Sequence, residues 1–151
     1  MNKKVFIIKL FSSGLIILFS LISCASSNKI HKSDSTVEQK QPTSVGDIQY
    51  GISSYYADKF HGRRTANGEI YDMYGISGAH QTLPLNSIVK VTNLENNKEL
   101  VMRINDRGPF IKDRIFDCSY GAAVKLSFIS QGTAIVKVEV LEIGNNLYKK
   151  E

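Results

Sequence analysis

Apolar residues in this chain recur at every second position, and that period constrains the fold more than any other feature. Ile48, Tyr50 and Ile52 alternate with polar neighbours, as do Val89 and Val91, then Leu100, Met102 and Ile104, and less strictly Ile135, Val138 and Val140. Side chains of an extended strand point alternately to opposite faces, so the pattern predicts half-buried strands. One stretch breaks it: Tyr120, Ala123, Val124 and Leu126-Ser127-Phe128 fit a short helical face, with Ser119 placed to cap it. Asn67-Gly68, Asn96-Asn97, Arg107-Gly108-Pro109 and Gln131-Gly132 supply turn residues between the strands. Short strands with tight turns favour a small closed barrel, although periodicity alone does not separate a barrel from a sandwich.

The alternation occupies only part of the chain. Lys3, Lys4 and Lys9 are interleaved with an apolar run from Val5 to Ile22 that ends in Leu21-Ile22-Ser23-Cys24, with no acid before Asp34. That is the layout of a secretory signal over residues 1–23. The run is broken by Lys9, Ser12, Ser13, Gly14 and Ser20, where a spanning helix needs roughly 20 predominantly apolar residues. Leu-Ile-Ser-Cys resembles a bacterial lipobox, which implies lipidation of Cys24 and a membrane anchor. Ala25 after it resembles an outer-membrane sorting residue. Residues 24–46 are rich in Ser, Lys, Gln and Asp and read as a flexible linker. The folded domain is expected over residues 47–143, about 95 residues and enough for one core. Residues 144–151 read as a frayed polar tail.

Charge and cysteine content exclude some functions. Of 19 Lys and Arg, three lie in the signal, leaving 16 against 14 acids, a balance of +2 that gives no footprint for nucleic acid. There are two cysteines, and lipidation of Cys24 leaves Cys118 unpaired; in Ile115-Phe116-Asp117-Cys118 it reads as a small buried hydrophobe.

Two polar clusters carry candidate chemistry. The long connection from Tyr55 to His80 gathers His61, Arg63, Arg64, Glu69, Asp72 and His80 among glycines and tyrosines. The segment Arg103-Ile104-Asn105-Asp106-Arg107-Gly108-Pro109 sets an acid and two bases where an alternating strand meets a sharp turn. From these residues alone, Asp106 is equally a reactive group or an acceptor for turn amides. His61, His80 and the acids have none of the spacing of a compact metal motif, so no metal or other cofactor is expected.

Together the clusters resemble the rare lipoprotein A family. The resemblance rests on SSYYADKFHGRRTANGEIYDMYGISGAHQTLPLNSIVKVTNL, VMRINDRGPF, RIFDCSYGAAVKL and GTAIVKVEVL, in that order, from about Gly51 to Leu141. It implies a mainly β fold, a six-stranded double-psi β-barrel with one short helix. It also implies a lytic transglycosylase that cuts the MurNAc–GlcNAc bond of peptidoglycan with 1,6-anhydro ring closure, preferring strands without stem peptides. Carried over position by position, Asp106 is the acid/base. Glu69 stabilises charge or orients a hydroxyl, Asp72 is a further acid, and His80 is a supporting residue. Arg64, Thr65, Asn67 and Arg107 are expected to bind sugar, with Tyr55 and Tyr56 offering ring faces. The implied partners are peptidoglycan strands, the membrane through Cys24, and functionally an amidase; the implied location is the outer membrane, periplasmic face. Cys118 stands where the family generally has leucine. Two rival readings remain at this level: an expansin-like polysaccharide-binding module, and an envelope scaffold.

Overall fold

The computed structural model describes residues 41–56 and 58–149. The expected signal, Cys24 and most of the expected linker lie outside them. Six strands form: β1 (Ile48–Tyr55), β2 (Ser77–His80), β3 (Ile88–Asn93), β4 (Glu99–Asp106), β5 (Arg114–Cys118) and β6 (Thr133–Glu142). They close into a barrel in the order β1-β5-β2-β4-β3-β6, with β1/β5 and β2/β4 parallel and the other pairs antiparallel. Closure leaves no sheet edge exposed.

The barrel interior is filled by Val89 and Val91 of β3, Met102 and Ile104 of β4, Phe116 and Cys118 of β5, and Ala134, Val136, Val138 and Val140 of β6. One glycine makes this packing possible: a Cβ at Gly78 would stand 2.3 Å from Phe116 Cζ, inside contact distance. The predicted helix forms as α1 (Tyr120–Leu126), with the Ser119 side chain accepting from the Ala122 amide as its N-cap. Ala122, Ala123, Leu126 and the following Phe128 join the core, whereas Val124, expected on the buried face, is exposed. Each large apolar side chain buried in this way contributes about 1.5–3 kcal/mol.

β1 forms where its alternation predicted, but with the opposite phase to a simple amphipathic strand. Ile48, Tyr50 and Ile52 are exposed, while Gln49 and Ser53 are buried. Gln49 pairs in register with the core residue Val138, and its Oε1 lies 2.8 Å from Nε2 of the buried His80. The polar phase points inward because a buried imidazole needs a partner. Each of the four sequence turn signals contains a residue at positive φ: Gly68, Asn97, Gly108 and Gly132.

The tail is bound, not frayed. The Asn146 amide donates to Leu85 O at 3.1 Å, Asn146 Oδ1 accepts from the Leu85 amide at 2.7 Å, and the Lys149 amide donates to Asn67 O at 2.7 Å. Residues 144–149 thus strap the β2–β3 connection to the loop ahead of β2.

Candidate active site

Between β1 and β2 the chain makes a short 3-10 turn (Asp58–Phe60) and then a hairpin-like excursion. Gly62 N donates to Tyr71 O, Tyr71 N to Arg63 O and Thr65 N to Glu69 O, at 2.7–2.9 Å. The tip, Ala66-Asn67-Gly68, turns through Gly68 at φ +87, where any Cβ would also strike Lys149 O at 2.6 Å. It docks on the end of β4: Ala66 N donates to Asp106 Oδ1 at 2.8 Å and Asn67 N to Asn105 O at 3.0 Å. Docking thus joins the part of the first polar cluster around residues 64–69 to the second at the end of β4.

Asp106 ends β4 and is partly exposed on the wall of a cavity of about 310 Å³, shared with Tyr56, Phe60, Tyr71 and residues 63–65. Its two oxygens are held differently. Oδ1 accepts from two backbone amides, Ala66 and Arg107, both at 2.8 Å. Oδ2 accepts from the Tyr56 hydroxyl at 3.2 Å. An amide cannot reverse its role but a hydroxyl can, so a proton on this carboxyl belongs on Oδ2.

Glu69 is turned to β4 instead. Arg103 Nη2 donates to both of its oxygens at 2.9 and 2.8 Å, and Asn105 Nδ2 reaches Oε2 at 3.3 Å. The Arg103 hydrogen bonds hold the Glu69 carboxyl below its ordinary value, against some desolvation. It is an ion-paired acceptor that carries its charge at neutral pH.

The remaining candidates separate by what they touch. His80, 1% exposed, accepts at Nδ1 from the Thr82 and Leu83 amides, so Nε2 carries the hydrogen and donates to Gln49; it meets no carboxylate. Burial, then the Arg107 charge, lowers its pKa to about 4. Asp72 is solvent-facing and accepts from the Tyr74 amide at 3.0 Å, a turn-capping position, with His61 Nδ1 3.9 Å away. Thr65 Oγ1 donates to Asn67 Oδ1 at 2.8 Å, and Asn67 is 2% exposed with Nδ2 on Asn86 at 3.1 Å. Both brace the loop from within, although Thr65 also lines the cavity. Arg64 Nη1 holds Gly68 O at 2.9 Å and Arg107 Nη1 holds Leu83 O at 2.6 Å; both arginines line the cavity.

Two features were not legible in the sequence: the Tyr56 hydroxyl as a partner of Asp106, and the pairing of Arg103 with Glu69. Tyr56 is aromatic and was expected to offer only a face. Its ring stands edge-on to Tyr71 and Phe60, centroids 5.3 and 5.7 Å away, and this packing aims the hydroxyl at Asp106. A second cavity, about 650 Å³, is lined by Gln49, Tyr50, His80, Gln81 and residues 110–115, so the segment that begins at Asp106 borders both openings.

Residues 48–138 match the model of a family described as lytic transglycolase. The endolytic peptidoglycan transglycosylase RlpA of Pseudomonas aeruginosa strain UCBPP-PA14 is 56% identical over 92 residues, 61% of this chain and 27% of that protein. The protein of the same name from Campylobacter jejuni is 49% identical over 102 residues, 68% of this chain and 37% of the relative. That of Vibrio cholerae is 53% identical over 98 residues, 65% and 37%. The chain therefore spans between about a quarter and little more than a third of the length of these relatives. Among solved structures, a Streptomyces papain inhibitor aligns with TM-score 0.54 at 20% identity, covering 65% of this chain and 97% of that one. A Clavibacter michiganensis expansin mutant solved in complex with cellohexaose aligns with TM-score 0.52 at 10% identity, covering 64% and 51%. The structural likenesses speak to fold alone, and with the family match they identify the closed six-stranded barrel as the double-psi architecture.

Proposed function

The chain belongs to the lytic transglycolase family, and from that premise we propose that its barrel is an endolytic peptidoglycan lytic transglycosylase with Asp106 as the acid/base. The observation that carries this reading is the asymmetric holding of the Asp106 carboxyl on the wall of a cavity. Cleavage of a glycosidic bond with internal ring closure needs a proton for the leaving oxygen and then a base for the C6 hydroxyl of the muramyl residue. One carboxyl performs both transfers in turn. Oδ1, fixed by two amides, sets the orientation, and Oδ2 gives and takes the proton.

Glu69, kept ionised by Arg103, acts as an orienting and charge-stabilising group and not as a proton donor. His80, neutral with its tautomer set by two amides, supports the barrel mouth and takes no part in proton transfer. Asp72 caps its turn and stands outside the chemistry. Arg64 and Arg107 contribute the polar lining. The second opening, with Tyr50 and the 84%-exposed Phe110 beside amide side chains, extends the groove for neighbouring sugars. Lipidation at Cys24 places the domain at the inner face of the outer membrane, where an amidase supplies the strands without stem peptides that the site prefers.

The test is to incubate the purified protein with intact sacculi and with amidase-stripped strands, and to analyse released sugars by mass spectrometry. Anhydro-muramyl ends that disappear with Asp106→Asn support the proposal. Pelleting with glycan in the absence of new ends would instead make the barrel a wall-binding module.

A further inference from the structure

Ser54, Asp117, Ala79 and Asp106 stand in one register row across four neighbouring strands, β1, β5, β2 and β4. Phe116 and Cys118, on either side of Asp117, point into the core, so Asp117 and its register partners Ser54 and Ala79 face away from it. Asp106 joins the row through a break in the β2–β4 register between Gly78 and Ala79. Tyr56 follows Ser54 by two residues and keeps to the same side. Neighbouring strands lie about 4.8 Å apart, which sets Asp117 and Asp106 roughly 10 Å apart at the backbone. The Tyr56 hydroxyl reaches Asp106 Oδ2, and the charges of both Asp106 and Asp117 act on it.

Asp117 is 6% exposed. Its Oδ2 accepts from Arg114 Nη2 at 2.9 Å, while Oδ1 is buried without a hydrogen-bond partner. The other buried side-chain polar atoms without partners among the described residues are Arg114 Nε and the Tyr71 hydroxyl. Arg114 is the ion-pair partner of Asp117 and Tyr71 packs on Tyr56, so all three gather around this one row. Folded proteins rarely leave such atoms unsatisfied without a reason.

We propose that Tyr56 and Asp117 form a hydrogen-bond relay that lets Asp106 alternate between acid and base, with Asp117 Oδ1 accepting the Tyr56 hydrogen whenever Asp106 is protonated. This rests on Asp106 being the acid/base. In the scheme, Tyr56 donates to Oδ2 whenever Asp106 is a carboxylate, the contact present in the structure. When Oδ2 bears a proton for the substrate, the Tyr56 hydrogen needs another acceptor, and Asp117 Oδ1 is a buried acceptor on the same row without a hydrogen-bond partner, the Ser54 amide being the backbone donor that faces this carboxyl. Asp106 then delivers its proton to the glycosidic oxygen as the bond to C1 breaks, and Tyr56 swings back to the carboxylate. The C6 hydroxyl attacks C1 and returns a proton to Oδ2, and Tyr56 turns again to Asp117. The tyrosine never loses its own proton: burial, then the charges of Asp106 and Asp117, push its pKa far above the ordinary range. Burial raises Asp117 to about 6, opposed by Arg114 and the nearby Ser54 amide, so above that pH it is an ionised acceptor. Asp117 touches no substrate in this scheme and is a positioning residue.

Two measurements test the relay. A crystal structure of Asp106→Asn presents an amide hydrogen toward Tyr56 in imitation of the protonated acid, because the Ala66 and Arg107 amides hold the amide oxygen at the Oδ1 position. The expected result is the Tyr56 hydroxyl within hydrogen-bond reach of Asp117; a hydroxyl that makes no contact with Asp117 overturns the proposal, whatever the activity. The second measurement is the rate of anhydro-end formation by Tyr56→Phe, Asp117→Asn and the double variant, with thermal unfolding alongside. Each single change should lower kcat about tenfold at unchanged KM, part of the roughly hundredfold or more supplied by proton transfer. The double should be no slower than either, since both remove one device. Losses that multiply, or an Asp117→Asn enzyme at full kcat, would refute it. Absence of anhydro ends from the unaltered protein defeats the proposed function, and the Asp106→Asn structure still reports on the hydrogen-bond exchange.

Discussion

Asp106, at the end of β4, and Glu69, on the hairpin docked against it, are held in opposite ways. Asp106 is bound by two amides and a phenol, with no ion pair to it among the described residues. Glu69 is bound by a guanidinium that touches both of its oxygens. A carboxyl held by neutral donors can gain and lose a proton without breaking an ion pair. One locked to arginine contributes a fixed dipole and a fixed position. Under the proposed function, proton transfer falls to the first and orientation to the second.

The comparison breaks most decisively at Asp106. Asp106→Asn should reduce anhydro-end formation by about a hundredfold or more while circular dichroism and thermal unfolding stay near those of the parent. Glu69→Gln should cost about tenfold through misplacement of the hairpin tip, with a change in stability of about 1 kcal/mol or less, because the pair is partly exposed. A Glu69→Gln enzyme as inactive as Asp106→Asn would dissolve the distinction. Smaller still, Asn146→Ala removes the acceptor for the Leu85 amide and loosens the strap behind Asn67. It should cost about 1 kcal/mol in urea unfolding and only a few-fold in rate.

Acid sharpens the same contrast with the smallest effect. The folded pKa of Glu69 lies below its ordinary value of 4.5, so its contribution is present above that value and is lost as pH falls through the depressed one. The difference in unfolding temperature between the parent and Glu69→Gln should therefore persist at about pH 5 and close as acid is added below the ordinary value. A gap that widens on acidification would show that the Arg103 pair does not stabilise the fold.

Strands and turns were legible because alternation and positive-φ residues are local properties. The phase of β1 was not: its inward residue is chosen by His80, two strands away in the barrel and 31 positions along the chain. Asp106 and Glu69 stood out as acids within recognisable motifs, but their pairing with Ala66 and Arg103 depends on docking across the barrel. Asp117 escaped attention because Phe116 and Cys118 make its segment look like uninterrupted core; only the register with Ala79 reveals that it faces the other way. The tail looked frayed by composition, yet Asn145 and Asn146 supply side-chain acceptors that bind backbone amides.

The strand order also governs when the site can exist. Tyr56 and Asp106 are 50 residues apart, and β1, which carries Tyr56 into place, is flanked by β5 and β6, the last strands in the sequence. A nascent or half-translocated chain that ends after β4 has no neighbour for β1 and nothing to hold the phenol over the acid. Such non-local pairing makes folding slow relative to a helical protein of this size. It also makes the juxtaposition of Tyr56 and Asp106 a late product of folding, formed only once the final strands have closed the barrel.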